Sequence, residues 1–271
     1  MYFLTTLLAI LLKLKYGDFI FEVEVLVASG LNSGIQFRSN SMKSYRDGRV
    51  HGYQSELDTS ERAWTGGIYD EGRRGWLYPL TMNKTGSNAF RNGYWNKVRI
   101  EAIGNTIKTF VNGIQCSNLV DDMTSEGFIA LQVHSIRSKE LEGKTIKWKN
   151  IRIVTENLES NRTPNMPYAR QISYLKNTLT SEEKRKGWTL LWDGKTSNGW
   201  KSAKKNDFPN QIISSEEGVI HFPKHKMKRA YFGFSKSNPS LNLNLFDVSG
   251  ISSETSTLEI GGEYFHTENI S

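Results

Sequence analysis

A chain of 271 residues with a formal net charge of +7 is long enough for one large β-domain or for two smaller domains. Aromatic residues make up 11% and charged residues 23% of it, as in ordinary globular proteins, so a disordered or fibrous class is excluded. The basic charge accompanies no nucleic-acid-binding motif, which argues against a nucleic acid as partner. The single cysteine, Cys116, excludes an intrachain disulfide.

The N-terminal stretch, residues 1–14, is apolar but shorter than the about 20 residues that a membrane-spanning helix needs. It also lacks the basic start and the small-residue cleavage site of a signal peptide. An alternating strand begins soon afterwards, at Phe19. We therefore expect that the reading frame is truncated, with an export signal missing upstream.

Residues 19–27 show the alternation of a half-buried strand, with apolar side chains on one face and Glu22 and Glu24 on the other. The turn Asn112-Gly113 is a strong hairpin signal. No helical stripe precedes residue 156, so the chain up to that point is predicted to be an all-β sandwich. The further strands are expected at residues 35–38, 54–58, 95–103, 106–111, 128–134 and 144–154.

Polar side chains are concentrated on one face of the strand at residues 54–58. Gln54, Glu56 and Asp58 point the same way because side chains alternate along a strand. Such a row costs desolvation free energy unless it lines a wet cleft, so this face is the predicted site. In the preceding strand Arg38 has the parity to join Glu56 there.

Residues 64–80 combine Gly, Tyr, Trp and Arg in a pattern too irregular for a buried strand. Such a composition is typical of a functional loop. The alternative is a cover loop that is packed by its own aromatic side chains and held by structural arginines.

The composition changes after residue 156. Residues 157–167 are rich in Asn, Pro and Ser and are interpreted as a linker. Thr180 or Ser181 is suited to cap a short helix that ends at Gly187. A new β-unit opens at residues 187–200, but too few residues follow for a second full sandwich. The tail from Arg229 is expected to be poorly ordered.

Eight short motifs occur in a defined order: residues 16–19 (YGDF), 32–38 (NSGIQFR), 52–58 (GYQSELD), 67–71 (GIYDE), 95–96 (WN), 112–113 (NG), 129–134 (IALQVH) and 148–153 (WKNIRI). In this order they resemble the 3-keto-disaccharide hydrolase domain family, described as 3-keto-glucoside 1,2-lyase and 3-keto-2-hydroxyglucal hydratase. The resemblance implies a concanavalin A-like lectin/glucanase jelly roll, a periplasmic or extracellular location and a small glycoside as substrate.

The segment at residues 187–200 resembles the opening phrase of a second domain of this family. The first copy does not contain that phrase, so its first strands are expected to be missing. The predicted organisation is a sandwich, a linker with one helix, and an incomplete second copy, at residues 16–155, 156–186 and 187–271.

The family chemistry begins at a keto group on C3 of the sugar, which acidifies the hydrogen on C2. A base removes this proton, the substituent on C1 leaves, and water adds to the resulting glucal; donors must stabilise the enolate and the leaving group. The candidate base and acid are His134, Glu56 and Asp58. The candidate substrate-binding residues are Arg38, Gln54, Gln132, Tyr69, Trp64, Asn32 and Arg73.

Two other functions remain open on the same fold. Glu56 and Glu61 have the sequence spacing that retaining β-glucanases use for their two catalytic carboxylates. One is the nucleophile and the other the acid/base, and the two carboxyl groups lie about 5 Å apart. A non-catalytic carbohydrate-binding sandwich is the second alternative.

No cofactor is evident from the sequence. The histidines show no zinc-type spacing, and a calcium ion held by Asp and backbone oxygens stays open. The expected partner is a small carbohydrate, with neither a nucleic acid nor a membrane span.

Overall fold

The computed structural model describes residues 8–135, 138–202, 218–219 and 232–234. The chain divides into two compact units, residues 1–174 and residues 175–271. The first unit consists of two packed β-sheets, which confirms the predicted all-β sandwich.

The first sheet is antiparallel and contains the predicted site strand near its centre. In spatial order it comprises β1 (Leu8–Tyr16), β10 (Gly127–Val133), β3 (Asn32–Asn40), β4 (His51–Asp58), β5 (Ile68–Glu71) and β6 (Gly75–Tyr78).

The second sheet covers the other side of the core. In spatial order it comprises β11 (Ile146–Val154), β2 (Phe19–Val27), β7 (Asn96–Ile103), β8 (Thr106–Val111), β9 (Ile114–Val120) and β12 (Ile172–Ser173). All neighbours are antiparallel except β12, which runs parallel to β9.

The core lies between the sheets and follows the alternation in the sequence. Phe21 and Val23 of β2 are buried on one side, and Ile35 and Phe37 of β3 are buried on the other. Burial of apolar area contributes about 25 cal/mol per Å², so these inward faces hold the sheets together. Each strand is therefore left with an outward face that is free to carry polar groups.

The apolar N-terminal run supplies a strand of the first sheet. The backbone of β1 pairs with β10 from Leu8 opposite Val133 to Tyr16 opposite Gly127. Nine residues are too few for a membrane span but form a full-length strand. The sheet therefore begins earlier than the predicted domain start at residue 16.

Part of the predicted functional loop is a hairpin. Within residues 64–80, β5 and β6 pair antiparallel and extend the first sheet beyond β4. Gly72 and Gly75 have φ values of 70° and 81°, a conformation that other residues adopt at a cost. The segment was predicted to be a loop too irregular for a buried strand; it contains two short strands, because the glycines make a tight turn that masks the short alternation.

The predicted linker packs along the outer face of the second sheet in its first part. The Lys108 ammonium donates to the carbonyl of Thr163, and the amide of Met166 donates to Gln115 Oε1. The segment then continues into β12. These bonds give partners to polar atoms of two buried side chains, the Lys108 ammonium and Gln115 Oε1.

The second unit contains the predicted helix, which ends at Arg185, two residues before the predicted end at Gly187. Helices in the described ranges are short: α1 (Lys84–Ser87), α2 (Leu158–Asn161) and α3 (Ser181–Arg185). Thr180 caps α3 and forms a capping box with Glu183, which confirms the predicted N-terminus. No helix in these ranges has the length and hydropathy needed to cross a membrane.

Beyond α3, two short strands pair antiparallel: β13 (Trp200–Ser202) and β14 (Phe232–Phe234). The predicted tail from Arg229 lies outside the described residues except for β14.

The close approach of β10 to β3 leads to a prediction about stability. A Cβ atom at Gly127 would lie 2.4 Å from the carbonyl carbon of Arg38, whereas one at Gly17 would meet nothing closer than 3.6 Å. We expect Gly127→Ala to lower the free energy of unfolding by about 1–3 kcal/mol, as overpacking does, and Gly17→Ala to change it little. Urea denaturation of both variants checks this, and equal effects would contradict it.

Candidate functional site

The outward face of the first sheet carries a row of glutamine side chains. In β4, Tyr53 and Leu57 enter the core, so Gln54 and Glu56 point away from it. Gln36 of β3 pairs with Gln54 in register. The side-chain amides of Gln36 and Gln54 therefore lie at directly paired positions of adjacent strands.

These amides form a chain of hydrogen bonds that runs in one direction. Ser39 Oγ donates to Gln36 Oε1 at 2.9 Å, and Gln36 Nε2 donates to Gln54 Oε1 at 2.6 Å. Gln132 Nε2 donates to the same Gln54 oxygen at 2.9 Å. Gln54 Nε2 then donates to Glu56 Oε2 at 2.8 Å. The chain therefore ends on the Glu56 carboxylate.

A glycine makes room for this chain. Gly34 lies opposite Glu56 in the register of β3 and β4. A Cβ atom at Gly34 would lie 2.5 Å from Gln54 Cδ. The missing side chain allows Gln54 to cross above β3 and to meet Gln132 of β10.

The Glu56 carboxyl group is nearly enclosed, with 5% of the residue exposed. Asn32 Nδ2 donates to its Oε1 at 2.6 Å, and Arg62 Nη2 lies 3.2 Å from the same oxygen. Burial raises the pKa of Glu56, and the opposing effect of Asn32, Gln54 and Arg62 does not cancel that increase. Glu56 therefore holds a proton at higher pH than an exposed glutamate does.

Asp58 lies two residues further along the same face and shows the opposite shift. Burial alone would raise the pKa of Asp58, but hydrogen bonds from Ser60 and Arg62 outweigh it and lower the pKa. Arg62 Nε donates to Asp58 Oδ2 at 2.7 Å. Of two neighbouring carboxyl groups, Glu56 is thus the better proton acceptor, and Asp58 stays ionised to lower pH than an exposed aspartate does.

Arg62 also packs over an aromatic cluster beside the carboxylates. Its guanidinium carbon lies 4.6 Å from the ring centroid of Trp64 and 5.0 Å from that of Trp76. Trp76 in turn makes edge contacts with Trp64 at 4.7 Å and with Tyr69 at 5.1 Å. A cation over aromatic faces at these distances is held in place by cation–π attraction.

The profile of the 3-keto-alpha-glucoside-1,2-lyase-like domain matches residues 7–154, which is more than half of the chain. The chain belongs to this family. The match includes β1 and ends at the last residue of β11, so it covers every strand of the two sheets except β12. No functionally curated protein matches the chain.

Several solved structures resemble part of the chain at low sequence identity. The carbohydrate-binding module CBM66 of Bacillus subtilis has 17% identity and a TM-score of 0.40, covering 54% of this chain and 80% of its own. A Parabacteroides distasonis protein named as a candidate glycosyl hydrolase has 18% identity and a TM-score of 0.41, covering 55% and 84%. The Caenorhabditis elegans galectin LEC-6 has 14% identity and a TM-score of 0.36, covering 55% and 91%.

Most of the predicted site residues of the family domain lie together. Direct contacts join Asn32, Gln54, Glu56 and Gln132, and Arg62 links Glu56 to Asp58 and Trp64. Tyr69 contacts this cluster through the ring of Trp76. Sequence reasoning missed three members of the cluster, Gln36, Arg62 and Trp76. Only Gln36 had a usable signal, which is its parity in β3.

Arg38 lies elsewhere, so the prediction that it joins Glu56 is corrected. Its φ of 44° breaks the alternation of β3. Its Nε and Nη1 donate to the carbonyls of Gly17 and Gly104 at 2.9 and 2.8 Å, and its Nη2 pairs with Asp18. The guanidinium therefore ties the strand ends of the two sheets together.

Arg73 also belongs to a different cluster. Its Nε donates to Asp70 at 2.7 Å, its Nη1 donates to Thr124, and its guanidinium lies 5.3 Å from the ring centroid of Tyr53, a core residue. Asp70 is fully buried and also binds Arg74. Arg73 is therefore a structural partner of buried Asp70 and does not lie in the Glu56 cluster.

His134 follows the last residue of β10 and is exposed. It lies two residues after Gln132, which is the spacing of side chains on one face of a strand. Imidazole is the side chain most often used as an acid or a base near neutral pH.

Neither a metal nor a thiol nucleophile finds support in the described residues. Within them, no group of three or more His, Cys, Asp or Glu side chains could hold a metal ion. Cys116 is buried, and burial raises the pKa of its thiol to about 12, so the reactive thiolate does not form near neutral pH.

The opposite shifts of the two carboxyl groups predict opposite pH dependences. Because the pKa of Glu56 is raised on folding, the folded chain retains a proton that the unfolded chain releases above its ordinary value of 4.5. The stability of the wild type relative to Glu56→Gln should therefore fall as the pH rises above 4.5. Urea denaturation across a pH series measures this slope.

Asp58→Asn serves as the matched comparison. The pKa of Asp58 is lowered on folding, so its contribution is present above the ordinary value of 3.8 and is lost as the pH falls below it. The stability of the wild type relative to Asp58→Asn should therefore shrink in acid. Slopes of the same sign for the two variants would contradict the assignment.

Proposed function

We propose that the family domain cleaves the glycosidic bond of 3-keto-glycosides by removing the proton on C2, eliminating the C1 substituent and adding water. Family membership supports the substrate class. The observation that carries the mechanism is Glu56: a nearly enclosed carboxyl group, with a raised pKa, beside a shared arginine.

The reaction moves protons at three points: away from C2, onto the leaving oxygen, and back onto C2 when water adds. In the first step the C2–H bond breaks, its proton moves to the base, and its electrons form an enolate with the C3 oxygen. In the second step the C3 carbonyl re-forms, a C1=C2 double bond forms, and the C1–O bond breaks while the leaving oxygen takes a proton. Water then adds its oxygen to C1 and a proton to C2, which completes a net hydrolysis.

Glu56 is the proposed base. Proton transfer is most efficient when the pKa of the catalytic group approaches the working pH, and burial moves Glu56 in that direction. Asn32 donates to one of its oxygens and Gln54 to the other, which fixes the direction of the carboxyl group. A fixed direction lowers the entropic cost of aligning the base with C2.

Arg62 is the proposed partner of the enolate oxygen. Its side chain is 40% exposed, and within the described part of the chain its Nη1 makes no hydrogen bond. A fixed cation that faces developing negative charge is a large contribution to catalysis. Asp58 binds Arg62 Nε and so acts as a positioning residue for the guanidinium.

His134 is the proposed acid for the leaving group, and the aromatic cluster is the proposed sugar platform. Tyr69 and Trp76 are partly exposed beside the carboxylates. Their rings offer apolar faces for the C–H groups of a pyranose, while exposed His134 is accessible to the aglycone.

A second candidate is carbohydrate binding without turnover. The observation that favours it is that both carboxyl oxygens of Glu56 already accept hydrogen bonds, from Asn32, Gln54 and Arg62. In that case Glu56 would only organise the surface.

The β-glucanase alternative receives less support. β4 ends at Asp58, and Glu61 is exposed in the turn that follows, so the strand geometry that would align it with Glu56 is interrupted.

The proposal predicts that the domain cleaves p-nitrophenyl 3-keto-glucoside and leaves an unmodified β-glucan intact. Glu56→Gln should reduce kcat by about 100- to 10,000-fold, the usual contribution of a general base. Glu101→Gln, which alters a buried carboxylate on the second sheet, should retain activity. Turnover of the glucan alone, or full activity of Glu56→Gln, would contradict the proposal.

The role of His134 predicts a dependence on the leaving group. A p-nitrophenolate leaves without protonation, whereas an alkoxide does not. His134→Ala should therefore slow the release of methanol from a methyl 3-keto-glucoside by about 100-fold or more and barely affect p-nitrophenol release. An equal loss for both substrates would assign His134 to another step.

A further inference from the structure

We propose that the side-chain carbonyl of Gln132 accepts a hydrogen bond from one hydroxyl group of the bound sugar and thereby sets the orientation of the ring. The proposal rests on the proposed function for its ligand class, a glycoside. It assigns to one named atom a role in substrate specificity.

The orientation of the Gln132 amide follows from the carboxylate two residues away in the network. An ionised carboxylate offers acceptors alone, so Gln54 must turn its NH₂ group towards Glu56. The Gln54 carbonyl oxygen then faces away from Glu56 and can only accept. Gln132 must therefore present its own NH₂ group to Gln54, and its carbonyl oxygen points to the other side.

This carbonyl oxygen is buried without a hydrogen-bond partner in the described part of the chain. The residue is only 1% exposed, so water does not replace the missing bond at an open surface. An unpaired buried acceptor carries a desolvation cost, and native proteins seldom retain one without a reason. A ligand that donates a hydrogen bond removes this cost.

Gln36 provides an internal comparison. It donates to the same Gln54 oxygen as Gln132 and is also buried. Its own carbonyl oxygen, however, accepts a hydrogen bond from Ser39 Oγ. The two glutamines have equivalent donor contacts, and only Gln132 has an unused acceptor.

The chemistry of the free acceptor selects the group that it binds. A hydroxyl group can donate to a carbonyl oxygen, whereas a ketone oxygen cannot. Gln132 therefore recognises a ring carbon that carries a hydroxyl group and disfavours the oxidised carbon at the same position. In this way one amide fixes which edge of the keto-sugar faces β10.

The oxygen is covered, so binding requires neighbouring side chains to move aside. Rotamer changes of this kind are common when ligands bind, even where the backbone moves little. The rigid amide chain behind Gln132 keeps the acceptor in place during this movement.

The experiment combines a variant with single-hydroxyl deletions in the ligand. Methyl glucoside and its 2-, 3-, 4- and 6-deoxy derivatives are titrated against the full chain by NMR, with wild type, Gln132→Met and Gln36→Met. None of these glycosides is a 3-keto substrate, so binding is measured apart from turnover. Thermal unfolding of each variant verifies that it is folded.

For one deoxy derivative, the wild type should lose up to about tenfold in affinity, the value of one neutral hydrogen bond, while Gln132→Met loses nothing further. Gln36→Met should retain the wild-type pattern of losses. The inference is overturned if, for every hydroxyl group, its removal lowers the affinity of Gln132→Met as much as it lowers the affinity of the wild type. It is also overturned if the wild type binds none of the five glycosides. Binding with this pattern but without turnover of a 3-keto-glucoside would refute the proposed reaction and leave the inference intact.

Discussion

An ionised carboxylate can accept hydrogen bonds but cannot donate them, and this constraint at Glu56 orders the outer face of the first sheet. Gln54 must donate to it, so Gln54 must accept from Gln36 and Gln132. The three amides consequently have one orientation out of the two that each could adopt. Gly34 is part of the same constraint, because a side chain there would occupy the space of Gln54.

Electrostatics divides the roles of the two carboxyl groups on this face. Burial has the larger effect on the pKa of Glu56 and raises it. Hydrogen bonds from Ser60 and Arg62 have the larger effect on the pKa of Asp58 and lower it, so the two pKa values move apart. Arg62 lies between them and is held by the rings of Trp64 and Trp76. A proton acceptor, a fixed cation and an aromatic surface thus meet within one small region, and these are the groups that the proposed reaction uses.

The sequence predicted what depends on local alternation and missed what depends on the backbone conformation of single residues and turns. The apolar period of residues 19–27 identified β2, and the parity of Gln54 and Glu56 identified the site face. Arg38 has the same apparent parity, but its positive φ sends the side chain to Asp18. The contacts of Arg62 arise from a turn and could not be predicted from strand alternation.

The central claim, that C2 loses its proton during cleavage, is tested most directly by turnover of a 3-keto-glucoside in D₂O. Hydration of the eliminated intermediate takes its C2 hydrogen from the solvent, so the released 3-keto-glucose should carry deuterium at C2 from the first turnover. NMR and mass spectrometry of the product, corrected for exchange of free 3-keto-glucose in the same buffer, measure this incorporation. A product that retains its original hydrogen at C2 would contradict the mechanism and indicate direct displacement at C1.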